Sequence, residues 1–440
     1  MLFEPLYTAD EMRATEAGHD VRVLMERAGR AVAEEALRLF PDAQTFGALC
    51  GGGANGGDVR IALEVLRAVG READEGLGGD VLLDGLFGTG FHGEPRTEAA
   101  ELIAQLNAAE APVLAVDLPS GVDADTGEVA GAAVRATVTV ALHGPKVGNV
   151  VAPGRFHCGE LIVRDIGLEP LETAHSLVGR DVLALVPRKR PSDTKYRAGS
   201  VLVVGGAPGL TGAACLAAEA AFRADAGYVT VAAPVESLPV LEARLLEAVK
   251  RPLDDVFDAV RKAGALAIGP GLGRDRERRA LVRRLLTETE LPAVVDADGL
   301  FELEPFQRAA PTVLTPHAGE LAGLLDVEPA WVDEHRLEAA RRVADAYGCI
   351  CLLKGADTLV AAPGEGVLVC GLGPPSLATA GTGDVLTGTI AAFLAKGMDA
   401  RLAAAAGATA CAVAAGLGPE RGLVAGDVVK LLPDALARAS

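Results

Sequence analysis

The 440-residue sequence is poor in aromatic side chains: one Trp, four Tyr and eleven Phe make up 4% of it, against an apolar share of 50%. Packing therefore falls to Ala, Val, Leu and Gly, as where helices lie close on parallel strands. Positive charge is also scarce. The net charge is −19 and no block of five consecutive Lys/Arg occurs, which argues against nucleic acid or an anionic membrane as a main partner. The amino terminus lacks a basic-then-apolar run, so no secretory signal is expected. The longest apolar stretch, Leu402 to Leu417, is Ala- and Gly-rich and too short to span a bilayer; it reads as a buried helix. The seven cysteines are scattered without a C-x-x-C pair, which implies a reduced, cytoplasmic chain, with Cys349 and Cys351 as core thiols on one face of a strand. No Walker A sequence and no G-x-S-x-G elbow is present, which disfavours a P-loop nucleotidase and a serine hydrolase.

The length asks for two α/β domains. Residues 9–40 read as one long helix, with Val21, Leu24, Met25, Ala28 and Val32 at helical spacing. Candidate strands then alternate with helical runs: Phe46–Cys50, Val81–Asp84, Val113–Asp117, Thr137–Leu142 and Leu161–Asp165. That alternation predicts a parallel sheet with helices on both faces, a Rossmann-like three-layer domain. Gly167–Pro191 breaks the pattern with three prolines and a Lys/Arg cluster, giving expected domains of 1–170 and 180–440. The second series runs through Ser200–Gly205, Tyr228–Ala233, Leu266–Ile268, Ala293–Asp296, Thr312–Leu314 and Ile350–Lys354. A hairpin follows, Thr358–Ala362 with Gly366–Cys370, and then helices over roughly 380–396, 399–416 and 426–437.

In the first half, Gly51-Gly52-Gly53-Ala54-Asn55-Gly56-Gly57-Asp58 lies between a strand and a helical run. It contains G-x-G-x-x-G, yet the expected second strand ending in an acidic residue is not evident: Glu72 and Asp74 have the spacing but no apolar run before them. Taken alone, the loop could serve only close strand-to-helix packing. Two further loops, Asp84 to Gly90 and Asp117 to Asp123, end the next strands, and each puts a carboxylate at the edge where parallel sheets bind ligands. Asn55, Asp84 and Ser120 offer the hard oxygens that an alkali or alkaline-earth cation takes.

In the second half, Thr379 to Asp384 opens a helix expected to start near Val385. The amides of Gly381, Thr382 and Gly383 would face an anion, and Asp384 beside them could take a proton from an attacking hydroxyl; the bland alternative is an Asp capping its own helix. Lys354, ending a strand before Gly355-Ala356-Asp357-Thr358, suits a nucleotide phosphate. Loops Gly269–Gly273, Asp296–Gly299 and Thr315–Glu320 end other strands, with His317 alone reading as a structural histidine. A Gly-rich anion hole with a neighbouring Asp, and no P-loop, reads as phosphoryl transfer.

At this point the motifs resemble a known family along nearly the whole chain: the bifunctional NAD(P)H-hydrate repair enzymes, an epimerase fused to an ADP-dependent dehydratase. The motifs are G-x-x-N-G-G-D, D-x-L-F-G-T-G, V-D-x-P-S-G-V-D, G-P-G-L-G, D-A-D-G-L, T-P-H-x-G-E and G-T-G-D, in that order. The resemblance implies a ribokinase-like α/β/α second domain that dehydrates the S hydrate of NADH or NADPH while ADP is split to AMP and phosphate. It implies a first domain that interconverts the R and S hydrates. ADP as co-substrate, Mg2+ and K+ come with it.

Carried over by motif, Asp384 and Asp117 are the acid/base residues. Ala213, Gly273, His317 and Asp384 contact the hydrate in the second domain; in the first, Ala54, Asn55, Gly56, Gly57, Asp58, Gly88, Thr89, Gly90, Phe91, His92, Gly93, Glu94 and Asp117 do. Lys354, Gly355, Ala356, Asp357, Thr358, Gly381, Thr382 and Gly383 meet the nucleotide, and Asn55, Asp84 and Ser120 ligate K+. The sequence departs from the family at Ala54, where a paired asparagine is usual, and at Val59, where a glycine is. Only 22 residues, Val59 to Asp80, precede the next strand, room for a helix and a turn where the family has a further strand and helix. Two rival readings are a vitamin or sugar kinase and a first domain that binds dinucleotide without catalysis. A homo-oligomer acting on small molecules is expected.

Overall fold

The computed structural model describes residues 2–438 and divides into two compact units, one of residues 5–176 with 333–337, the other of residues 2–4, 177–332 and 338–438. Each is built on a mainly parallel sheet. The strands are β1 (Phe3–Leu6), β2 (Thr45–Cys50), β3 (Glu72–Glu75), β4 (Val81–Gly85), β5 (Val113–Val116), β6 (Val138–Leu142), β7 (Glu160–Arg164), β8 (His175–Val178), β9 (Ser200–Val204), β10 (Tyr228–Ala233), β11 (Val249–Pro252), β12 (Ala265–Ile268), β13 (Ala293–Val295), β14 (Thr312–Leu314), β15 (Ile350–Leu353), β16 (Thr358–Ala361) and β17 (Leu368–Cys370).

In the first unit six strands lie in the order β3-β2-β4-β5-β6-β7, all parallel. The long helix expected over residues 9–40 is two, α1 (Ala9–Glu16) and α2 (Val21–Leu39), because Gly18 takes a left-handed φ of 86° and Asp20 caps the second. α2 and α3 (Ala54–Ala68) bury Ala28, Val32, Leu63 and Leu66 with Phe46, Leu83 and Leu114 of the sheet. Helix α4 (Thr97–Ala108) packs Ile103 and Leu106 with Leu49, Leu82 and Val113 in a separate cluster.

The expectation of only a helix and a turn between Val59 and Asp80 is corrected: strand β3 is present and pairs with β2 from Thr45↔Glu72 to Ala48↔Glu75. It escaped sequence reading because an edge strand needs little hydrophobic pattern, and only Ala73 of its four residues is buried. The helix after it is replaced by Gly76-Leu77-Gly78-Gly79. A Cβ on Gly47 of β2 would stand 2.4 Å from the Gly78 carbonyl oxygen, so this loop lies directly on the sheet.

In the second unit the order is β17-β16-β15-β14-β13-β12-β9-β10-β11, with β8 and β1 continuing beyond β17. Strands from β15 to β11 are parallel; β15, β16 and β17 pair antiparallel, as the hairpin expected there requires. Edge strand β11, polar in sequence, was not evident beforehand. The helices that matter are α5 (Thr211–Arg223), α6 (Arg276–Glu288), α7 (Ala318–Leu325), α8 (Thr382–Ala395), α9 (Ala400–Gly416) and α10 (Ala425–Ala437). Helix α8 starts at Thr382 rather than near Val385, since Gly381 already supplies the N-cap with a φ of 89°.

Helix α8 is buried without a break from Val385 to Leu394, and the apolar stretch of α9 is a buried helix as expected. Such burial needs close helix approach, which small residues permit. A Cβ on Gly388 would stand 2.0 Å from the Ala217 carbonyl oxygen on α5. Gly388→Ala should therefore cost about 1–3 kcal/mol, read as a lower urea midpoint. Gly323→Ala, on exposed α7 with nothing within 4 Å of the added carbon, should leave stability equal or slightly higher.

Candidate active sites

In the first unit, three strand ends converge. Gly51 and Gly56 are packing glycines: a Cβ on Gly51 would meet the Leu86 carbonyl oxygen at 2.0 Å, and one on Gly56 the Gly51 carbonyl oxygen at 2.1 Å. Gly52 and Gly53 have nothing within 4 Å and line a cavity of about 570 Å³ with Met12, Glu16, Asn55 and Asp58. Gly88, Thr89, Gly90, Phe91 and Asp117 line it as well, whereas exposed His92 instead holds Asp123 through Nδ1 at 2.7 Å. The loop thus packs strand against helix and also lines the cavity. Val59, the departure from the family glycine, is fully buried and fills the space beside Gly85, where a Cβ would meet its Cγ2 at 2.3 Å.

Asn55, on the first turn of α3, donates through Nδ2 to the carbonyl oxygens of Phe87 at 2.6 Å and Val116 at 3.0 Å. Those two bonds fix the amide and leave Oδ1 buried with no hydrogen-bond partner. Asp84, fully buried, accepts from Ser120 N at 2.8 Å and Ser120 Oγ at 2.7 Å, and burial holds its carboxyl above the usual range. An orphaned amide oxygen, a carboxylate without a cation and a hydroxyl form an all-oxygen donor set.

Asp117 sits in the left-handed region at φ 67°, held by four contacts: its N–H donates to Val140 O at 2.8 Å, its carbonyl oxygen accepts from Asn149 Nδ2 at 3.2 Å, Oδ1 accepts from Leu142 N at 3.0 Å, and Lys146 Nζ reaches the same Oδ1. Lys146 is wholly buried and also donates to the carbonyls of Leu142 and Gly144. Burial pushes the carboxyl of Asp58 up to about 8, helped by the charges of Asp117 and Glu16 and opposed by Lys146. Glu16, at the end of α1, is raised by burial and by Asp117. Lys146 belonged to none of the motifs. Glu16 carried no motif at all.

In the second unit, Asp296 at the end of β13 is buried and accepts from Lys354 Nζ at 2.8 Å and Thr387 Oγ1 at 2.8 Å. Burial opposes this charged carboxylate, but Lys354 together with the hydroxyls of Thr387 and Thr315 outweighs it and the pKa ends below the usual value. Lys354 is not a solvated surface lysine. It is drawn up from the end of β15 onto Asp296 and, at 3.5 Å, Glu320. Gly383 stands over this pair: a Cβ there would lie 3.5 Å from Lys354 Nζ and 3.6 Å from Asp296 Oδ2.

Asp384, in the first turn of α8, is pushed up to about 7 by burial and by Asp296, with Asp298 and Glu320 adding and Lys354 opposing. His317 caps α7, with Nδ1 accepting from Glu320 N at 3.2 Å. Gly273, with a φ of 92°, donates its N–H to Asp298 Oδ2 at 2.9 Å. Thr358 closes the turn after Lys354 by bonding to Gly355. Ala213 lies in the first turn of α5. Asp296, Glu320 and Thr387 were not singled out as site residues; the D-A-D-G and H-x-G-E motifs were the available signals.

Residues 201–437 match the NAD(P)H-hydrate dehydratase family, and residues 21–77 and 65–148 match the YjeF-related protein N-terminus. Bifunctional NAD(P)H-hydrate repair enzymes are similar over most of the chain. That of Moorella thermoacetica is 40% identical, covering 86% of this chain and 79% of its own; that of Coxiella burnetii is 36% identical, covering 95% of each. The crystal structure of the ADP/ATP-dependent NAD(P)H-hydrate dehydratase of Bacillus subtilis, co-crystallised with ATP and Mg2+, covers 59% of this chain and 96% of its own at 28% identity, with a TM-score of 0.55. A ribokinase-like protein of Enterococcus faecalis covers 62% and 99% at 26% identity and a TM-score of 0.54. The second unit therefore has the ribokinase-like fold.

Removing the charge of Asp296 should lower the Asp384 pKa, because a neighbouring anion is what opposes its ionisation. In carboxyl 13C spectra of aspartate-labelled protein, Asp384 should titrate near pH 7 and move to lower pH in Asp296→Asn. An unmoved titration would show that burial alone sets it.

Proposed function

Because the chain belongs to the bifunctional NAD(P)H-hydrate repair enzymes, which join an epimerase to a dehydratase, we propose how its residues divide that work. In the second unit, Asp384 takes the proton of the hydroxyl on the hydrated ring, and the freed oxygen attacks the β-phosphorus of ADP, releasing AMP. The ring nitrogen then expels phosphate and a proton leaves the adjacent carbon, restoring the dihydronicotinamide. What supports this is the position of Asp384 at the head of α8, beside the Gly381 to Gly383 amides and poised near neutrality. A base is most effective with a pKa near the working pH. Those amides and the helix dipole would hold the transferring phosphoryl group, and Lys354 to Thr358 the rest of the nucleotide, supplied as its magnesium salt. Ala213, Gly273 and His317 would seat the hydrate.

In the first unit, Asp117 would exchange a proton with the ring hydroxyl while Asn55 to Asp58 and Gly88 to Glu94 hold the dinucleotide. Support comes from the buried Lys146, which fixes Asp117 at the cavity wall. The oxygens of Asn55, Asp84 and Ser120 fit K+, and the orphaned Asn55 Oδ1 is the observation that favours an ion there. K+ would brace the three strand ends and their loops. We further propose a cytoplasmic homo-oligomer: seven free thiols fit a reducing compartment, and exposed Val235, Val240 and Leu246 fit a subunit contact. Sedimentation checks the latter. Among the described residues, no helix is long and apolar enough to cross a membrane.

The carrying test is recovery of reduced-nicotinamide absorbance from mixed hydrate epimers with magnesium ADP. Wild type should restore both epimers; Asp117→Asn should restore only the S fraction at speed, and Asp384→Asn should be slower by about 10²–10⁴-fold. The dehydratase kcat/KM should rise with pH up to about 7 and then level, since the ionised Asp384 is the working form. Phosphorylated product without phosphate release would replace this reading by a kinase.

For the cation, the melting temperature of wild type should be higher in KCl than in choline chloride at equal ionic strength. Asn55→Leu should erase the difference. No difference in wild type would remove K+ from the site.

A further inference from the structure

Asp298 faces two places. It fixes Gly273 and bears on the charge of Asp384, and the same side chain lines a second cavity, of about 680 Å³, between α6 and the chain from Asp298 to Gln307. Helix α6 presents Arg276, Arg279 and Arg283 to this cavity at spacings of three and four, one helical face. Phe301 and Phe306 give it an apolar wall. Glu302 and Glu304 pair with Arg279 and Arg283. Arg276 has no ion pair among the described residues, and Arg279 Nε is buried without a hydrogen-bond partner. The cationic face is therefore incompletely satisfied.

The substrate is larger than its reacting ring. A hydrated dinucleotide brings a pyrophosphate and an adenosine, with a further 2′-phosphate in NADPH, and these anionic groups need a place other than the one ADP fills. The nucleotide residues Lys354 to Thr358 lie at β15 and β16; the second cavity is lined by α6 and the segment after β13, which follow β12 and β13 on the other side of β14. Helix α8, carrying Asp384, packs on β9, β12 and β13. Gly273 and Asp298 thus connect the reacting centre to the cavity without crossing the ADP position.

We propose that this cavity is the binding site for the adenosine half of the dinucleotide hydrate, with Arg276 meeting a phosphate group and Phe301 and Phe306 meeting the base. Arginine suits the role because its planar fork binds phosphate oxygens in pairs. The proposal rests on the dehydratase reading above.

Its test compares three substrates with magnesium ADP: the hydrates of NADH, of NADPH and of reduced nicotinamide mononucleotide, which has no adenosine half. In wild type, kcat/KM should be higher for both dinucleotides than for the mononucleotide. In Arg276→Glu the ratio of dinucleotide to mononucleotide should fall about tenfold, and Arg276→Lys, which keeps the charge but not the fork, should fall between that variant and wild type. The ratio is internal to each preparation, so a partly folded variant does not distort it. A ratio unchanged in Arg276→Glu, or equal efficiency on all three substrates in wild type, would overturn this site and leave the dehydratase standing. Wild type inactive on all three would overturn both readings.

Discussion

The chemistry of the second unit hangs on one buried ion pair, Lys354 Nζ to Asp296 Oδ1 at 2.8 Å. It joins the ends of β13 and β15 under the first turn of α8, and the Thr387 hydroxyl ties the same carboxylate to that helix. A buried pair of this kind contributes little net stability, because desolvation offsets most of the attraction. Its value here is placement. The pair is fixed beneath Gly383, and the Asp296 charge opposes ionisation of Asp384, so that its proton is held more tightly than in an ordinary carboxyl. One partner alone would be a strongly destabilising buried charge, so the residues only make sense together.

The first unit arranges its charges the other way. Lys146 is committed to Asp117 and two carbonyls, which leaves Asp58 and Asp84 buried without a direct cationic partner. Burial raises both carboxyls. Asp58 lines the cavity. Asp84 is not among the residues that line that cavity, and its oxygens are engaged by Ser120. Two similar carboxylates near one sheet edge thus differ in their access to the pocket.

Much of this was legible beforehand because it is written in local chemistry. Buried parallel strands announce themselves as Val-, Ala- and Leu-rich runs, and the loops at their ends carry the glycines and carboxylates that a binding edge needs. The strands that escaped are β1, β3, β8 and β11, all of four residues; β1, β3 and β11 are edges, and in β3 and β11, with their exposed or polar residues, pairing with one neighbour replaces burial as the stabilising interaction. The break between α1 and α2 depends on one left-handed glycine inside an otherwise helical pattern. Among site residues, Asp384 and Asp117 stood out by their motifs, whereas Glu16 and Thr387 matter only through what the fold brings to them. Pairings such as Asp296 with Lys354, 58 positions apart, are set by strand order and have no local signature.

The shortened stretch between Val59 and Asp80 shows which parts of the first domain its chemistry needs. The cavity takes its polar groups from the loops after β2, β4 and β5 and from α1, and none from β3 or the loop that follows it. Loss of the helix after β3 would nevertheless bare the sheet around Gly47, and the chain meets this with Gly76, Gly78 and Gly79. Their backbone lies against Gly47, too close for any side chain there. Strand β3 itself stays, since without it β2 would become an edge, with its unpaired backbone beside the Gly51–Asp58 loop. Val59 belongs to the same adjustment: it fills the volume above Gly85 that a glycine would leave empty, so α3 still presses Asn55 onto the carbonyls of Phe87 and Val116. A trimmed periphery and an intact set of strand ends are therefore compatible, because what positions the reacting groups is the parallel edge and not the layer that was removed.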